Sequence, residues 1–137
     1  MAELKPGLEG TAVLTVDEAH TAPRIGSGRV HVLATPVMIN LMEAAALDAA
    51  EHLLPDGHQS LGTRVDVSHI AATPVGMAVR ATALVTHVDG NRITFRVAAR
   101  DERDLIGEGT HERVVVDVAR FDARANEKAQ AVARKAR

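Results

Sequence analysis

Residues 35–57 read TPVMINLMEAAALDAAEHLLPDG, and this stretch decides the fold class of the chain. It is dense in Ala, Leu, Met and Glu, which are strong helix formers. Thr35 occupies a natural N-cap position, and Pro36 suits the first helical position, where its missing N–H costs nothing. The run stops at Pro55-Asp56-Gly57, a turn signal. The pattern predicts a helix from Pro36 to Leu54 that is apolar around most of its circumference and therefore buried.

Strand-like segments surround this helix. They span residues 10–16 before it and residues 60–70, 77–88, 92–100 and 105–118 after it. Asp89-Gly90 predicts a two-residue type I′ hairpin turn. Residues 17–29 are predicted to be a loop, and the chain is predicted to be helical again from about Asp122. One long helix on one face of a curled antiparallel sheet of about five strands is an α+β arrangement. We expect a single domain over residues 1–137.

The composition excludes several classes of function. Hydrophobic residues make up 46% of the chain and charged residues 25%, which is a globular balance. Only Phe95 and Phe121 are aromatic, so no platform for stacking bases exists, and the net charge of −2 does not favour nucleic acid. The absence of Cys excludes a thiolate nucleophile and Cys-ligated zinc. Since there is no apolar leader and no run of membrane-spanning length, we expect a cytoplasmic protein without a membrane partner.

Glu43 is unusual for its position on the predicted helix. Its neighbours three and four residues away are mostly apolar: Ile39, Asn40, Ala46 and Leu47. A carboxylate in such a stripe is at least partly buried, and a buried charge is normally partnered or functional. A surface Glu, or one bonded to a backbone group, is the alternative.

His69 belongs to the predicted strand 60–70, in phase with Leu61, Thr63, Val65 and Val67. If this face packs on the helix, the imidazole points toward the helix that carries Glu43. A carboxylate that orients an imidazole makes a general base. A core histidine with an ordinary hydrogen-bond partner is the alternative.

The Thr35 hydroxyl lies at the predicted start of the same helix, two turns before Glu43. As an N-cap it contributes about 1 kcal/mol of stability. It also lies where free N–H groups and the positive end of the helix dipole stabilise an oxyanion, so it is a candidate nucleophile or water-positioning group. Gly62 and Gly76 either admit a ligand close to the backbone or serve ordinary turn and bulge roles.

Two further patterns do not lead to a site. Residues 107–112, GEGTHE, resemble a phosphate-binding loop, but a strand follows them and the Gly-Lys-Ser/Thr ending is absent. His111-Glu112 does not begin a zinc-binding HExxH motif, because Val115 occupies the second His position. The other histidines show no ligand spacing: His20, His31, His52, His58 and His87. We therefore predict no metal.

Three stretches together resemble one family: TPVMINLMEAA (35–45), SLGTRVDVSHIAATPVGMAV (60–79) and IGEGTHERVVV (106–116). They resemble the fluoroacetyl-CoA thioesterase-like family of hotdog enzymes, and the similarity covers nearly the whole chain. The resemblance implies a hotdog fold, in which the sheet wraps one long central helix, followed by a C-terminal helix. It places the family's catalytic threonine, glutamate and histidine, its active-site glycine and an arginine near the site on Thr35, Glu43, His69, Gly62 and Arg113.

The implied reaction is hydrolysis of an acyl-CoA thioester at a cleft between subunits of a homodimer or dimer of dimers, with no cofactor beyond the CoA of the substrate. His69, assisted by Glu43, would activate water or the Thr35 hydroxyl; alternatively Glu43 attacks the thioester and forms a mixed anhydride. The namesake enzyme has a longer, aromatic-bearing lid, whereas residues 20–35 contain no aromatic, so a preference for fluoroacetate is not carried over. The alternative function is a non-catalytic acyl-CoA-binding or sensing module, and a third is a hydratase or dehydratase.

Overall fold

The computed structural model describes residues 3–136 and shows a long helix packed on a five-stranded sheet. Its elements, in chain order, are β1 (Glu9–Thr15), α1 (Ala22–Ile25), α2 (Thr35–Ala50), β2 (His58–His69), β3 (Ala78–Asp89), β4 (Arg92–Arg100), β5 (Leu105–Asp117) and α3 (Val118–Lys135). The strand order is β1-β3-β4-β5-β2, and neighbouring strands are antiparallel. The predicted α+β hotdog arrangement is confirmed. Within residues 3–136, no helix is both long and apolar enough to cross a bilayer.

The core lies between α2 and the inner face of the sheet, mainly on β1, β3 and β4. The buried residues of α2 are Met38, Leu41, Met42, Ala45, Ala46, Ala49 and Ala50. Small side chains let the helix lie close to the sheet: a Cβ at Gly10 would collide with the backbone of Ala45 and Ala49. The predicted burial of the helix holds on the side that faces the sheet. Asn40, Ala44 and Leu47 on the opposite side are exposed.

Two helix boundaries differ from the prediction. The α-helical part of α2 ends at Ala50 and a 3-10 turn follows, so the predicted end at Leu54 is wrong. α3 begins at Val118 instead of about Asp122, because the Asp117 side chain accepts a backbone N–H of the first turn and caps the helix there. Asp117 is the last residue of β5 and also the N-cap of α3, so the helix begins where the predicted strand 105–118 ends.

The segment before α2 is more regular than the predicted loop. A 3-10 turn over Glu18–His20 and the helix α1 lie within it. A bridge between Thr21 and Leu33 closes the segment. Ala34, rather than Thr35, is the N-cap of α2, and no side chain caps the helix at this position. Thr35 is therefore the first helical residue, and its hydroxyl is free for another contact.

The hairpin between β3 and β4 turns further along the chain than predicted. Asp89 is still paired with Arg92, so the loop residues are Gly90 and Asn91. Of the two, only Gly90 has a positive φ, +59°. A type I′ turn requires a positive φ at both loop positions. The hairpin is confirmed, and the predicted turn type is wrong.

A β-bulge in β2 changes which side chains face the helix. The register of β2 against β5 shifts directly after Gly62. Gly62 pairs with Arg113, which is buried and therefore faces inward. After the bulge, Val65 pairs with His111, which is also buried. The extra residue reverses the alternation, so Leu61 lies on the outer face, and the predicted single face that included Leu61 is wrong.

Candidate functional site

Thr35 and His69 form the first cluster of the site. Thr35 is the first residue of α2 and His69 the last of β2, and Thr35 Oγ1 lies 2.7 Å from His69 Nδ1. His69 Nε2 is buried and makes no hydrogen bond of ordinary geometry within the described residues. Burial lowers the pKa of His69, and the backbone of Ala71 opposes this shift without reversing it. The imidazole is therefore neutral near pH 7, which is the form that takes a proton from a hydroxyl.

A pocket of about 340 Å³ opens beside this pair. Its walls come from the segment before α2 and from the residues after β2, and they are largely apolar: Ala22, Val32, Leu33, Ile70, Ala71 and Ala72. Ser27 adds one hydroxyl to the lining, and none of the lining residues is Phe, Tyr or Trp. Apolar walls next to a hydroxyl–imidazole pair are suited to an acyl chain whose carbonyl carbon lies at the hydroxyl.

Glu43 belongs to a second cluster, on the inner face of β5. Glu43 Oε2 lies 3.2 Å from Arg113 Nη1 and 3.9 Å from His111 Nε2. The Arg113 side chain is 7% exposed and the Glu43 side chain 37%, so the ion pair is covered on one side and open on the other. Glu43 is thus partly buried and partnered, as its position in the sequence predicts.

Gly62 leaves room for the Glu43 carboxylate. A Cβ at this position would lie 2.6 Å from Glu43 Oε2 and 3.1 Å from His111 Cε1. The close approach predicted at Gly62 therefore involves a carboxylate of the same chain. Gly76 differs, because a Cβ there would meet nothing and its φ is +102°. Gly76 has the ordinary turn role.

Three residues that sequence reasoning did not select hold Arg113 in place. Its Nε and Nη2 groups donate to the hydroxyl and the carbonyl of Ser60, at 2.8 and 3.0 Å. The Ser60 hydroxyl and N–H in turn donate to the Glu51 carboxylate. His111 Nε2 lies 3.1 Å from Arg113 Nη1. His111 and Arg113 share a face of β5, so strand alternation was the signal that would have selected His111.

The two clusters are separate within one chain. Thr35 and Glu43 lie two turns apart on α2, about 12 Å along the helix axis. His69 is hydrogen-bonded to Thr35, and Arg113 is hydrogen-bonded to Glu43. The expected pairing of Glu43 with His69 is not formed within the chain, because the end of β2 meets the start of α2 and not its middle.

The N-terminus of α2 offers fewer free donors than the sequence suggests. Pro36 has no N–H, and the Val37 N–H donates to the Ala34 carbonyl at 3.1 Å. The positive end of the helix dipole still lies beside Thr35. Electrostatic support for an oxyanion at this position therefore comes from the dipole more than from a row of free N–H groups.

The chain is similar to thioesterases over most of its length. A family model described as fluoroacetyl-CoA-specific thioesterase matches residues 16–119. The fluoroacetyl-CoA thioesterase of Streptantibioticus cattleyicolor is 45% identical over 100 residues, 73% of this chain and 72% of that protein. A solved structure of the fluoroacetyl-CoA thioesterase FlK has a TM-score of 0.87 at 36% identity, covering 93% of this chain and 98% of that one. Variants of FlK have been solved with acetyl-CoA, and with fluoroacetate and CoA.

A second similar structure comes from another organism. A hypothetical protein of Thermus thermophilus, a member of the thioesterase superfamily, has a TM-score of 0.86 at 33% identity. The match covers 96% of this chain and 99% of that one. The similarity therefore includes the helix, the sheet and the segments that carry both clusters.

Proposed function

Because the chain belongs to the fluoroacetyl-CoA-specific thioesterase family, we propose that it hydrolyses acyl-CoA thioesters with Thr35 and His69 as the reacting pair. The observation that carries this proposal is the 2.7 Å contact between Thr35 Oγ1 and His69 Nδ1 at the wall of an apolar pocket. A hydroxyl within hydrogen-bond reach of a neutral imidazole is the arrangement of an activated nucleophile. The pocket supplies an apolar place for the acyl group.

The reaction begins with a proton transfer to His69. With a proton on Nε2, the Nδ1 lone pair accepts the Thr35 hydroxyl proton while the oxygen attacks the thioester carbonyl carbon. The C–S bond of the tetrahedral intermediate then breaks, and the departing CoA sulfur takes the proton from His69. Water attacks the acyl-threonine with His69 again as base, which releases the free acid and restores the Thr35 hydroxyl. In a shorter route, Thr35 only holds the water, which attacks the thioester directly.

We further propose that this reaction takes place in a cleft between two subunits. β2 is an edge strand, and its unpaired side is free to join a second copy of the chain. A twofold-symmetric, antiparallel pairing of β2 with itself, in the register that sets His69 opposite Gly62, brings the end of one strand beside the Gly62 region of the other. Glu43 of the partner subunit then approaches Thr35, although the two residues are about 12 Å apart within one chain. The open side of the Glu43 side chain, which is 37% exposed, supports this arrangement.

In this cleft the carboxylate of Glu43 orients the attacking water or the imidazole. A second route uses the same residues but makes Glu43 the nucleophile, so that the acyl group passes through a mixed anhydride. The routes differ in which oxygen carries the acyl group. Mass spectrometry of acid-quenched enzyme after a burst of substrate distinguishes an acyl-threonine peptide from an acyl-glutamate peptide, whereas direct attack by water labels neither.

A thiol-release assay with acetyl-, fluoroacetyl-, branched, aromatic and medium-chain acyl-CoAs tests the proposal. We expect release from at least one thioester, and its loss in Thr35→Ala and His69→Ala. Thr82→Ala is a matched control, because Thr82 is an exposed threonine of β3 outside the described contacts of the site. If no thioester in the panel released thiol while calorimetry showed that acyl-CoA binds, the chain would be a non-catalytic acyl-CoA-binding module.

A further inference from the structure

The guanidinium of Arg113 is held at four of its five N–H groups. Nε and one Nη2 hydrogen go to Ser60. The two Nη1 hydrogens are directed to Glu43 Oε2 at 3.2 Å and to His111 Nε2 at 3.1 Å. Arg113 Nη1, which contacts Glu43, is therefore also held by the acceptor atom Nε2 of His111.

His111 is an acceptor because its proton resides on the other ring nitrogen. Nδ1 lies 2.8 Å from the carbonyl oxygen of Arg64, which has no hydrogen to donate, so Nδ1 is the protonated atom. Nε2 is left with a lone pair that faces Arg113. The imidazole is 1% exposed and stacks on Phe95, with ring centroids 6.0 Å apart. The orientation of the imidazole is thus fixed by the hydrogen bond from Nδ1 to the Arg64 carbonyl and by stacking on Phe95.

The charges around His111 come from two elements. Arg113 on β5 and Glu43 on α2 both face the Nε2 atom. β4 presents the uncharged ring of Phe95. Glu112 is the next residue on β5, and alternation directs its side chain to the opposite face of the sheet. Nε2 is therefore placed between one cation and one carboxylate.

We propose that His111 is a positioning residue for thioester hydrolysis, which as a neutral acceptor holds Arg113 in the orientation that directs Glu43 past Gly62 into the cleft. This rests on the proposed function, since it takes Glu43 to act in the reaction. If Nε2 gained a proton, two donors, His111 Nε2–H and Arg113 Nη1–H, would face each other across 3.1 Å. The imidazolium would instead bind Glu43 Oε2, now 3.9 Å away, and draw it out of its contact with Arg113.

The surroundings keep the neutral form near pH 7. Burial lowers the pKa of His111, and the charge of Arg113 lowers it further. The hydrogen bond to the Arg64 carbonyl and the charges of Glu43 and Glu112 act in the opposite direction without reversing the shift. The acceptor is therefore lost at a lower pH than that at which an ordinary histidine gains its proton.

Two substitutions separate positioning from packing. His111→Gln carries a carbonyl oxygen that reaches toward the place of Nε2, whereas His111→Leu fills the space without an acceptor. We expect His111→Leu to lower kcat/KM on the order of 10²-fold, mostly through kcat, because a displaced group loses its geometry. His111→Gln should retain kcat/KM within about tenfold, and His87→Gln, at an exposed histidine of β3, should match the wild-type enzyme. Equal losses in the Gln and Leu variants, with unchanged circular dichroism, would overturn the proposal.

The ring itself gives a readout that does not depend on activity. Long-range ¹H–¹⁵N spectra at pH 7 should show, among the imidazoles with the proton on Nδ1, one whose signals disappear in His111→Gln. The logarithm of kcat/KM should fall with a slope steeper than one over the pH range in which His69 and His111 both gain a proton, and with a slope of one in His111→Gln. An inactive wild-type enzyme would reject the proposed function. An active enzyme with the opposite tautomer, or with a slope of one before and after substitution, would reject the positioning role.

Discussion

The Thr35 hydroxyl and the His69 imidazole are 2.7 Å apart although 34 positions separate them in the sequence. The backbone is fixed directly beside each residue. The Ala34 N–H donates to the His20 carbonyl at 2.9 Å, and the Ile70 N–H donates to the Ile106 carbonyl at 2.7 Å. The pair is therefore held by the fold on both sides before any substrate binds, which is the condition for efficient proton transfer.

This contact predicts that Thr35 and His69 act as one unit. Thr35→Val keeps the shape but removes the hydroxyl, and His69→Ala removes the base; we expect each to lower kcat about 10²-fold or more. Thr35→Ser should keep most of the activity. The double variant Thr35→Val/His69→Ala should be no slower than the slower single variant, because groups that act together are not additive. Multiplicative losses in steady-state assays would show that the two residues act independently.

Replacement of Gly62 by Ala and replacement of Gly10 by Ala should affect activity and stability in opposite ways. Gly62→Ala places a methyl group 2.6 Å from Glu43 Oε2, the end of a flexible side chain, so the carboxylate moves and the fold remains. Gly10→Ala drives a methyl group into the backbone of α2, which has no such freedom. We expect Gly62→Ala to lower kcat about 10²-fold with little change in Tm, and Gly10→Ala to unfold the protein or lower Tm severely. A fully active Gly62→Ala enzyme would remove Glu43 from the reaction.

The pH dependence of stability follows from the two histidines with lowered pKa values, His69 and His111. The unfolded chain binds protons at these rings at the ordinary histidine pKa, whereas the folded chain binds them only at lower pH. The unfolded state therefore holds more protons in this window, and the free energy of unfolding falls as the pH drops below about 6.5. Above that pH their contribution is fully present.

Urea unfolding measured from pH 7.5 downward tests whether the free energy of unfolding falls as the pH drops. The slope of the unfolding free energy against pH should be positive in the acid window and smaller in His111→Gln. His87→Gln serves as the control with an exposed ring. A stability that rose as the pH fell through this range would show that the folded state favours charged imidazoles.

The order and type of the main elements were predictable because local signals were strong. Thr35-Pro36 and Pro55-Asp56-Gly57 bracket a run of helix formers, and the strands alternate. The face of β2 was not predictable, since a single extra residue after Gly62 reverses the alternation and no pattern in one strand reveals its pairing with another. The start of α3 was not predicted correctly because the sequence pattern places Asp117 in a strand, and only the structure shows that its side chain caps the helix.

The composition of the site was predictable in part. Periodicity placed Glu43 in an apolar stripe of the helix and gave His69 an inward position only on the condition that its face of the strand packs on the helix. It carries no information about the position of either residue along the helix axis. Only the three-dimensional pairing shows that His69 lies at the start of α2 and Glu43 two turns later. The hydrogen bonds from Arg113 to Ser60 span 53 positions and were beyond any local pattern.

The separation of the two clusters predicts that activity requires assembly. We expect a homodimer or dimer of dimers by light scattering, formed through β2. Val65 is on the inner face of this edge strand and 39% exposed, so Val65→Asp should dissociate the enzyme and abolish thiol release. Val13→Asp is the matched control, because Val13 is 56% exposed on β1, the other edge of the sheet. A stable, active monomer at micromolar concentration would contradict the shared cleft.

The pocket beside Thr35 predicts weak discrimination between acyl groups that differ by one small atom. Its walls are largely aliphatic, and the segment that covers it contains Gly26, with a φ of +95°, followed by Ser27, which adds one hydroxyl to the lining, and Gly28. Contacts to a single small group contribute about 1–3 kcal/mol even in tight pockets. We therefore expect fluoroacetyl-CoA to be preferred over acetyl-CoA by no more than about 200-fold in kcat/KM, and larger acyl groups to be accepted. The measurement is kcat/KM for both thioesters and for a medium-chain acyl-CoA under the same conditions. A preference above about 10⁴-fold for the fluorinated thioester would contradict this prediction, because contacts to one small group do not supply so large a difference.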